Sequence, residues 1–347
     1  MPIQPNFLER IAFFTFNAAP TPMLDLAGAL AYQVVSTAVQ LNIFRELHKR
    51  PFTAPELAQT LPADERGLTS LLKALEALGY VVEKNGRFSN TPMTTKWFID
   101  SGVLDLNAAT TCWDYFLQNL WPQAAGIVQS GERPFDFYGI MDNKPDLSHN
   151  FQQMMIGNIN VIGLEVLKQP DVPQTATRLL DVGGSYSAAS ILFCQAYPQL
   201  EAIVLDREMA LKTAAQNVTA AGLNGRFSLH AADLWQADWG SSNDIILLFG
   251  LMHHFDLDTN RKLLQKAYAA LKSGGQVVIF EQVEGSIFGS AVTAIVRLVG
   301  FMYYLFANGR IFTRDEMTDL LNAANFNNIR LHPLHQAPGN SLVIAQK

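Results

Sequence analysis

The chain has 347 residues, 49% of them hydrophobic and 16% charged, so it is long enough for two globular domains and too apolar to be disordered. A formal net charge of −6 and a pI near 5.6 argue against nucleic acid or an anionic membrane as the main partner. Cys112 and Cys194 lie far apart, which does not suggest a disulfide framework, and residues 1–19 lack the pattern of a secretory signal. We therefore expect a cytoplasmic protein.

The first hundred residues predict a winged helix. Residues 23–47 predict one helix that is apolar on most sides, which is typical of a helix buried against a partner subunit. Two more helices follow up to Gly79, and residues 80–88 predict two strands around an Asn-Gly turn. Within residues 1–100, basic and acidic side chains are equally numerous, so the basic surface of a DNA-binding domain is missing. We expect a dimerisation domain over residues 1–100, in a homodimer.

Residues 101–173 predict a helical connector that is rich in aromatic side chains and methionine. Such side chains are usually core residues, and a minority of them line ligand pockets. Trp113 and Met155 are our candidates for a substrate pocket, with core packing as the alternative.

From residue 174 to residue 347, short apolar strands alternate with helices, which predicts a largely parallel sheet covered on both faces. The expected fold class is α/β, a doubly wound Rossmann-like domain preceded by the mainly α-helical winged-helix domain. The five predicted parallel strands are Leu179–Val182, Glu201–Leu205, Arg226–Ala231, Asp244–Phe249 and Gln276–Phe280.

The ends of the first three of these strands carry the residues of a nucleotide-type site. Gly183 and Gly184 follow the first strand, and adjacent glycines let the backbone approach a ligand closely. Asp206 closes the second strand, where a carboxylate can accept both hydroxyls of a ribose, or can instead cap the next helix. Asp233 follows the third strand and could accept from an adenine amino group, with Leu234 against the ring; a solvated loop carboxylate is the alternative.

The segment from Ser286 to Phe306 is almost wholly apolar and would just span a bilayer. Arg297 lies near its middle, however, where an unpaired charge is costly in lipid, and both flanks belong to one predicted domain. We therefore expect a buried or interface helix and no membrane contact. Phe301 and Met302, near its end, are further candidates for the substrate pocket.

Three motifs resemble a known family. Asp-Val-Gly-Gly at 181–184, Ala-Asp-Leu-Trp at 232–235 and Leu-Met-His-His-Phe-Asp at 251–256 are similar to class I S-adenosylmethionine-dependent O-methyltransferases with an N-terminal winged-helix dimerisation domain, such as the caffeate and acetylserotonin enzymes. The resemblance extends from about residue 20 to the end of the sequence. It implies S-adenosyl-L-methionine as cofactor and a general base at His253, with Glu281 at the position of the carboxylate that supports the base. The cofactor contacts that it implies are Gly183, Asp206, Asp233 and Leu234.

An imidazole suits the removal of a proton from a hydroxyl group at neutral pH. The alternative for the His253–His254 pair is a capped turn with one buried histidine, and the sequence does not decide which of the two is the base. Metal binding by adjacent histidines is disfavoured because no third ligand is evident. Ser185 and Ser187 stand where the family usually has glycine, and Ile311 stands where it has a second carboxylate.

Methyl transfer to a hydroxyl of a lipophilic small molecule in secondary metabolism is the first hypothesis. The second keeps the fold but uses the bound cofactor for hydroxylation, decarboxylation or a pericyclic step, which the missing carboxylate leaves open. The third is a ligand sensor built on the winged helix, which the balanced charge of that domain disfavours. The fold alone does not choose among them.

Overall fold

A computed structural model describes residues 6–16, 18, 21–100, 102–285 and 289–347. The chain forms two compact units. The first comprises residues 1–118 with 149–154, and the second comprises residues 119–148 with 155–347.

The first unit consists of helices and one β-hairpin. The predicted helix over residues 23–47 is in fact two helices bent by 60°, because Asn42 adopts a left-handed conformation with φ of 56°. The hairpin turns at Asn85 and Gly86, as the sequence predicts. The helices are Phe7–Arg10 (α1), Pro22–Gln40 (α2), Ile43–Lys49 (α3), Ala54–Thr60 (α4), Glu65–Ala77 (α5), Pro92–Thr94 (α6) and Leu106–Tyr115 (α7), and the strands are Val81–Lys84 (β1) and Arg87–Asn90 (β2).

The end of α2 packs inside the first unit, whereas its beginning does not. Val35 and Ala38 are buried in a core that includes Phe44 and Leu72. At the other end of the helix the large apolar side chains are exposed, among them Met23, Leu26 and Leu30. These three positions repeat at helical spacing and form one apolar face.

The second unit alternates strands and helices. Its helices are Ala124–Ser130 (α8), Phe137–Asn143 (α9), Pro145–Leu167 (α10, whose residues 149–154 count with the first unit), Ala188–Ala196 (α11), Glu208–Ala220 (α12), Leu257–Ala270 (α13), Gly289–Ala307 (α14) and Arg314–Ala323 (α15). Its strands are Arg178–Val182 (β3), Glu201–Asp206 (β4), Phe227–Ala231 (β5), Asn243–Phe249 (β6), Leu271–Glu284 (β7), Phe312–Thr313 (β8), Asn327–Pro333 (β9) and Asn340–Gln346 (β10).

These strands form one mixed sheet in the order β5-β4-β3-β6-β7-β10-β9, with β8 paired to β7. The five strands from β5 to β7 are parallel, and β10 is antiparallel to both of its neighbours. The strand order reverses between β3 and β6, and ligands of such sheets bind outside the carboxyl ends of the strands at that point. Alternate side chains of β3, such as Leu179 and Leu180, enter separate cores on the two faces of the sheet.

Helix α14 occupies the apolar segment that the sequence predicts to be buried or at an interface. The segment begins at Ser286, which lies outside the described residues. Helix α14 is long and apolar enough to cross a membrane, with a mean hydropathy of 1.6, but only 17% of its apolar window is buried inside the chain. Of the two predicted alternatives, burial within the chain is therefore excluded and an interface remains a prediction; Ile295 and Leu298 are exposed. Arg297 donates to the Glu284 carboxylate at 2.8 Å, so its charge is paired.

A buried carboxylate fixes the beginning of β6. Asp244 is 6% exposed, accepts from the backbone N–H groups of Thr177 and Arg178 at 2.9 Å each, and forms an ion pair with Lys272. Although burial opposes the effect, these bonds lower the pKa of Asp244 below its usual range.

Replacing Asp244 by asparagine should lower the free energy of unfolding at pH 7 by about 2–3 kcal/mol, because three bonds lose their charged acceptor. A lowered pKa stabilises the fold above the pKa of the unfolded state and ceases to do so as the pH falls through the folded value. The difference between wild type and variant should therefore stay nearly constant down to about pH 5 and shrink as the pH falls below about 4, measured by urea denaturation. Asp258→Asn, at an exposed carboxylate, is the control, and an equal loss there would contradict the interpretation.

Candidate active site

The turn after β3 has a left-handed backbone at three positions. Gly183, Ser185 and Ser187 have φ values of 69°, 46° and 62°. Glycine adopts this conformation freely, whereas a residue with a Cβ pays about 1 kcal/mol or more. The left-handed backbone at positions 185 and 187 thus explains why the family that the sequence resembles usually has glycine there. The turn is held by the Gly183 N–H, which donates to the Leu205 carbonyl at 2.9 Å.

Asp181 lies directly beneath this turn. It is fully buried, and Ser190 is the residue that lies close enough to its carboxylate to lower the pKa by hydrogen bonding, against the larger effect of burial. A methyl group on Gly184 would lie 2.5 Å from the Asp181 Cγ, so only glycine lets the backbone cross the carboxyl group. Burial raises the pKa of Asp181 to about 7. A buried carboxyl group with a strongly shifted pKa is a frequent feature of functional sites.

Asp206 ends β4 beside the same turn. Its Oδ2 accepts from the Ser185 N–H at 2.7 Å and its Oδ1 from the Arg207 N–H at 2.6 Å. Its side chain does not cap the following helix, which begins at Glu208 without a side-chain cap. Burial raises the pKa of Asp206. The carboxylate is therefore fixed at the strand edge, where the sequence predicts a ribose contact.

Asp233 and Leu234 follow β5 at the same edge. Asp233 is exposed, and its Oδ1 accepts from the Trp235 N–H at 2.7 Å. Leu234 is partly buried against the core on one face of the sheet. The Lys266 ammonium group fixes this loop by donating to the carbonyls of Leu234, Trp235 and Ala237 at 2.8–2.9 Å.

His253 and Glu281 form a buried pair where β6 and β7 end side by side. His253 Nδ1 lies 2.9 Å from Glu281 Oε2, and the His253 N–H donates to Glu281 Oε1 at 3.2 Å. Both residues are buried, and the Tyr303 ring stacks on the His253 ring with centroids 4.1 Å apart and planes within 7°. A carboxylate at Nδ1 orients an imidazole and leaves Nε2 as the nitrogen that can accept a proton.

The loop that carries His253 is fixed from below by α13. The buried Asn260 side chain donates from Nδ2 to the carbonyls of Met252, Phe255 and Asp256 at 2.9–3.0 Å. From the other side, the Arg310 N–H donates to the His253 carbonyl at 2.9 Å.

His254 faces a different partner. Its Nε2 lies 2.7 Å from the Tyr138 hydroxyl oxygen, and its ring centroid lies 4.1 Å from that of His253. Burial and the neighbouring His253 lower the pKa of His254 well below its usual value. Burial also raises the pKa of Tyr138, so this hydroxyl keeps its proton.

The predicted pocket residues lie in both units. Phe301 and Met302 lie on α14, where Phe301 is 39% exposed and its ring packs edge-on against Trp121 at 6.0 Å. Met155 lies on α10 in the second unit and is partly buried. Trp113 lies on α7 in the first unit, where its ring meets the edge of Phe116 at 6.0 Å.

The sheet thus brings the predicted cofactor and base residues to one edge, on five neighbouring strands. Sequence reasoning missed Asp181, Tyr138 and Tyr303 as parts of this site. An acidic residue just before the glycine turn was a visible signal for Asp181, whereas no local pattern marks the two tyrosines. Ile311, at the position of the missing carboxylate, packs against Gly300 of α14. The part of the chain that the structure describes holds no cluster of three or more metal-binding side chains.

Comparison with known proteins gives concordant matches. Residues 113–327 match the family model of the O-methyltransferase domain, and residues 24–100 match that of the O-methyltransferase dimerisation domain. The 3-hydroxy-5-methyl-1-naphthoate 3-O-methyltransferase of Streptomyces sahachiroi is 26% identical over 346 residues, which cover 94% of this chain and 95% of that protein. The L-tyrosine C(3)-methyltransferase of Streptomyces lavendulae is 25% identical over 323 residues, 89% of this chain and 88% of that protein.

Among solved structures, human N-acetylserotonin methyltransferase in complex with S-adenosylmethionine aligns with a TM-score of 0.79. The alignment covers 100% of this chain and 99% of that chain at 18% identity, so it establishes a common fold.

Proposed function

Since this chain belongs to the O-methyltransferase family, we propose that it transfers a methyl group from S-adenosylmethionine to a hydroxyl group of a lipophilic small molecule, with His253 as general base. The observation that supports this proposal most directly is the buried His253–Glu281 pair. It lies at the same sheet edge as the glycine turn and Asp206.

The residues at the strand edge fit S-adenosylmethionine, which offers a cationic ammonium group, two ribose hydroxyls and an adenine. Asp181 is fully buried and the charged group that acts on it is another carboxylate, Asp206, so a cation would compensate its ionised form. Asp206 would accept from the ribose hydroxyls, and Asp233 with Leu234 would hold the adenine. When bound, the cofactor supplies a methyl group attached to a positively charged sulfur, and the sulfur keeps the electron pair of the carbon–sulfur bond that breaks.

The contribution of the chain to the reaction is alignment and proton removal. Because Nδ1 of His253 bonds to Glu281, its Nε2 has the free lone pair that takes the hydroxyl proton. The resulting imidazolium would be stabilised by the Glu281 carboxylate, which is 2% exposed and therefore little screened by water. The bonds from Asn260 and Arg310 keep the loop in place while the acceptor oxygen approaches the methyl carbon.

A lipophilic acceptor is supported by the composition of α14, whose Tyr303 stacks on His253. The same helix carries Phe301, Met302 and Phe306, and the ring of Phe306 stacks on Phe137 with centroids 5.9 Å apart. A relative carries an aromatic acceptor, a naphthoate, in its name. We further propose that the chain acts as a homodimer, because it contains the family's dimerisation domain and α2 exposes Met23, Leu26 and Leu30.

The proposal is tested with the protein, S-adenosylmethionine labelled in the methyl group and a panel of lipophilic phenols and alcohols. Asp206→Ala should weaken cofactor binding about 100-fold by calorimetry, because two charge-assisted hydrogen bonds are lost. Asp258→Ala, at an exposed carboxylate, is the control and should bind normally. If the wild type binds the cofactor and converts a phenol without transferring the label, methyl transfer is contradicted and non-methyl chemistry is favoured. If the wild type does not bind the cofactor, both enzyme hypotheses are contradicted.

A further inference from the structure

A second buried contact adjoins the proposed base. Tyr138 belongs to α9, which is remote in sequence, yet its hydroxyl oxygen lies 2.7 Å from Nε2 of His254. Its ring meets the His254 ring edge-on, with centroids 5.5 Å apart. Two adjacent histidines therefore differ in environment, because His253 faces a carboxylate and His254 faces a phenol.

Tyr138 is itself fixed by the cofactor edge of the sheet. The Arg207 guanidinium lies 4.7 Å from the centre of the Tyr138 ring and donates to the Asp142 carboxylate at 3.0 Å. Arg207 directly follows Asp206, so one side chain connects the predicted ribose contact with α9. The segment just before α9 is also held, because Arg133 donates from Nε to the Tyr304 carbonyl at 2.9 Å.

We propose that Tyr138 is a positioning residue. Its hydroxyl donates to Nε2 of His254 and fixes the hydrogen of that imidazole on Nδ1, which leaves His253 as the ring that takes the substrate proton. This inference rests on the proposed role of His253 as general base. It also answers the question that the sequence leaves open, namely which of the two adjacent histidines is the base.

The electrostatics of the pair support this assignment. With its Nε2 lone pair occupied by the tyrosine proton, His254 has its own hydrogen on Nδ1 and offers the substrate no free lone pair. Two rings 4.1 Å apart cannot both be cationic without mutual repulsion. Of the two rings, His253 is the one whose contact with a carboxylate, Glu281, the structure describes, so a positive charge that develops there during the reaction has a partner. Other titratable and charged groups lie around the two histidines and their tyrosine neighbours. They are Asp136, Tyr138, Tyr186, Asp206, Arg207, Glu281 and Tyr303.

The test uses NMR of the protein with 15N-labelled histidine, and His254→Asn identifies the His254 signals. In the wild type, His254 should remain neutral between pH 5.5 and pH 9 with its hydrogen on Nδ1. In Tyr138→Phe the hydrogen of His254 should no longer be held on Nδ1, so the form with its hydrogen on Nε2 should become populated. A wild-type His254 with its hydrogen on Nε2 would overturn the proposal even if the variant failed to fold. So would a His254 in Tyr138→Phe that keeps its hydrogen on Nδ1 throughout.

Kinetics supply the second measurement. In Tyr138→Phe the His254 ring loses its anchor beside His253, so kcat should fall about fivefold while KM stays within about twofold of the wild-type value. Tyr268→Phe, which removes a hydroxyl on α13, is the matched control and should keep the wild-type kcat. An unchanged kcat in Tyr138→Phe overturns the proposal. Failure of methyl transfer in the wild type concerns the proposed function alone, since the NMR measurement needs no activity.

Discussion

Replacing His253 by alanine should reduce the rate of methyl transfer by about 10²- to 10⁴-fold, which is the usual contribution of a general base. The affinity for S-adenosylmethionine should stay within about threefold of the wild type, because His253 lies after β6 and contacts neither Asp206 nor the glycine turn. Single-turnover transfer of the labelled methyl group and calorimetric binding of the cofactor measure the two quantities separately.

Glu281→Gln should lower the rate less, by about 10- to 100-fold, because the amide oxygen can still accept from Nδ1 but no longer balances the imidazolium charge. The chain offers a matched control in the exposed His335, whose Nδ1 lies 3.1 Å from Glu165 Oε1. His335→Ala removes a histidine from a similar pair away from the sheet edge and should leave the rate unchanged. Equal losses in His253→Ala and His335→Ala would show that neither loss reports base catalysis.

Asp181→Asn should stabilise the cofactor-free protein and weaken cofactor binding. The pKa of Asp181 is raised by burial to about 7, whereas an unfolded aspartate has a pKa of about 3.9. Between these values the folded protein binds more protons than the unfolded one, so the stability from this group is complete below pH 4 and is lost as the pH rises through 7. Ionisation of the buried group costs about 4 kcal/mol once the pH exceeds 7, since one pKa unit equals about 1.4 kcal/mol.

The variant has no charge to bury, so its advantage over the wild type should be about 3 kcal/mol larger at pH 8 than at pH 5. Urea denaturation without cofactor measures this difference. Asp244→Asn serves as the comparison of opposite sign, because the pKa of Asp244 is lowered and its loss destabilises the fold at both pH values. If the advantage of Asp181→Asn were the same at pH 5 and pH 8, Asp181 would not be the buried acid described above.

The order of strands and helices in the second unit could be predicted because the parallel strands are short, largely apolar segments, and β3, β4 and β5 end at or within two residues of a glycine or an aspartate. The carboxyl ends of such strands meet at one edge, so Gly183, Asp206 and Asp233 could be placed together without knowledge of any contact. The left-handed backbone at Ser185 and Ser187 could not be predicted, because serine seldom adopts positive φ.

Other features depend on contacts between distant parts of the chain. Nothing near Tyr138 indicates that it meets His254, since the contact results from the packing of α9 against the loop after β6. The break at Asn42 was missed because the apolar pattern continues across it, and a single left-handed residue leaves no periodic signal. The sequence left open whether α14 is buried or at an interface, because an apolar composition does not reveal whether a helix is covered by its own chain.

The position of β10 has a consequence for the order in which the chain can fold. This strand follows β9 in sequence but lies between β7 and β9 in the sheet, and its Ser341 pairs with Glu281. During synthesis, the edge of β7 that pairs with β10 therefore stays unpaired until residues 340–346 have been made. For that interval the apolar edge beside Glu281 is open, which is the type of edge that joins to other chains. The support of the proposed base is thus among the last parts of the sheet to form.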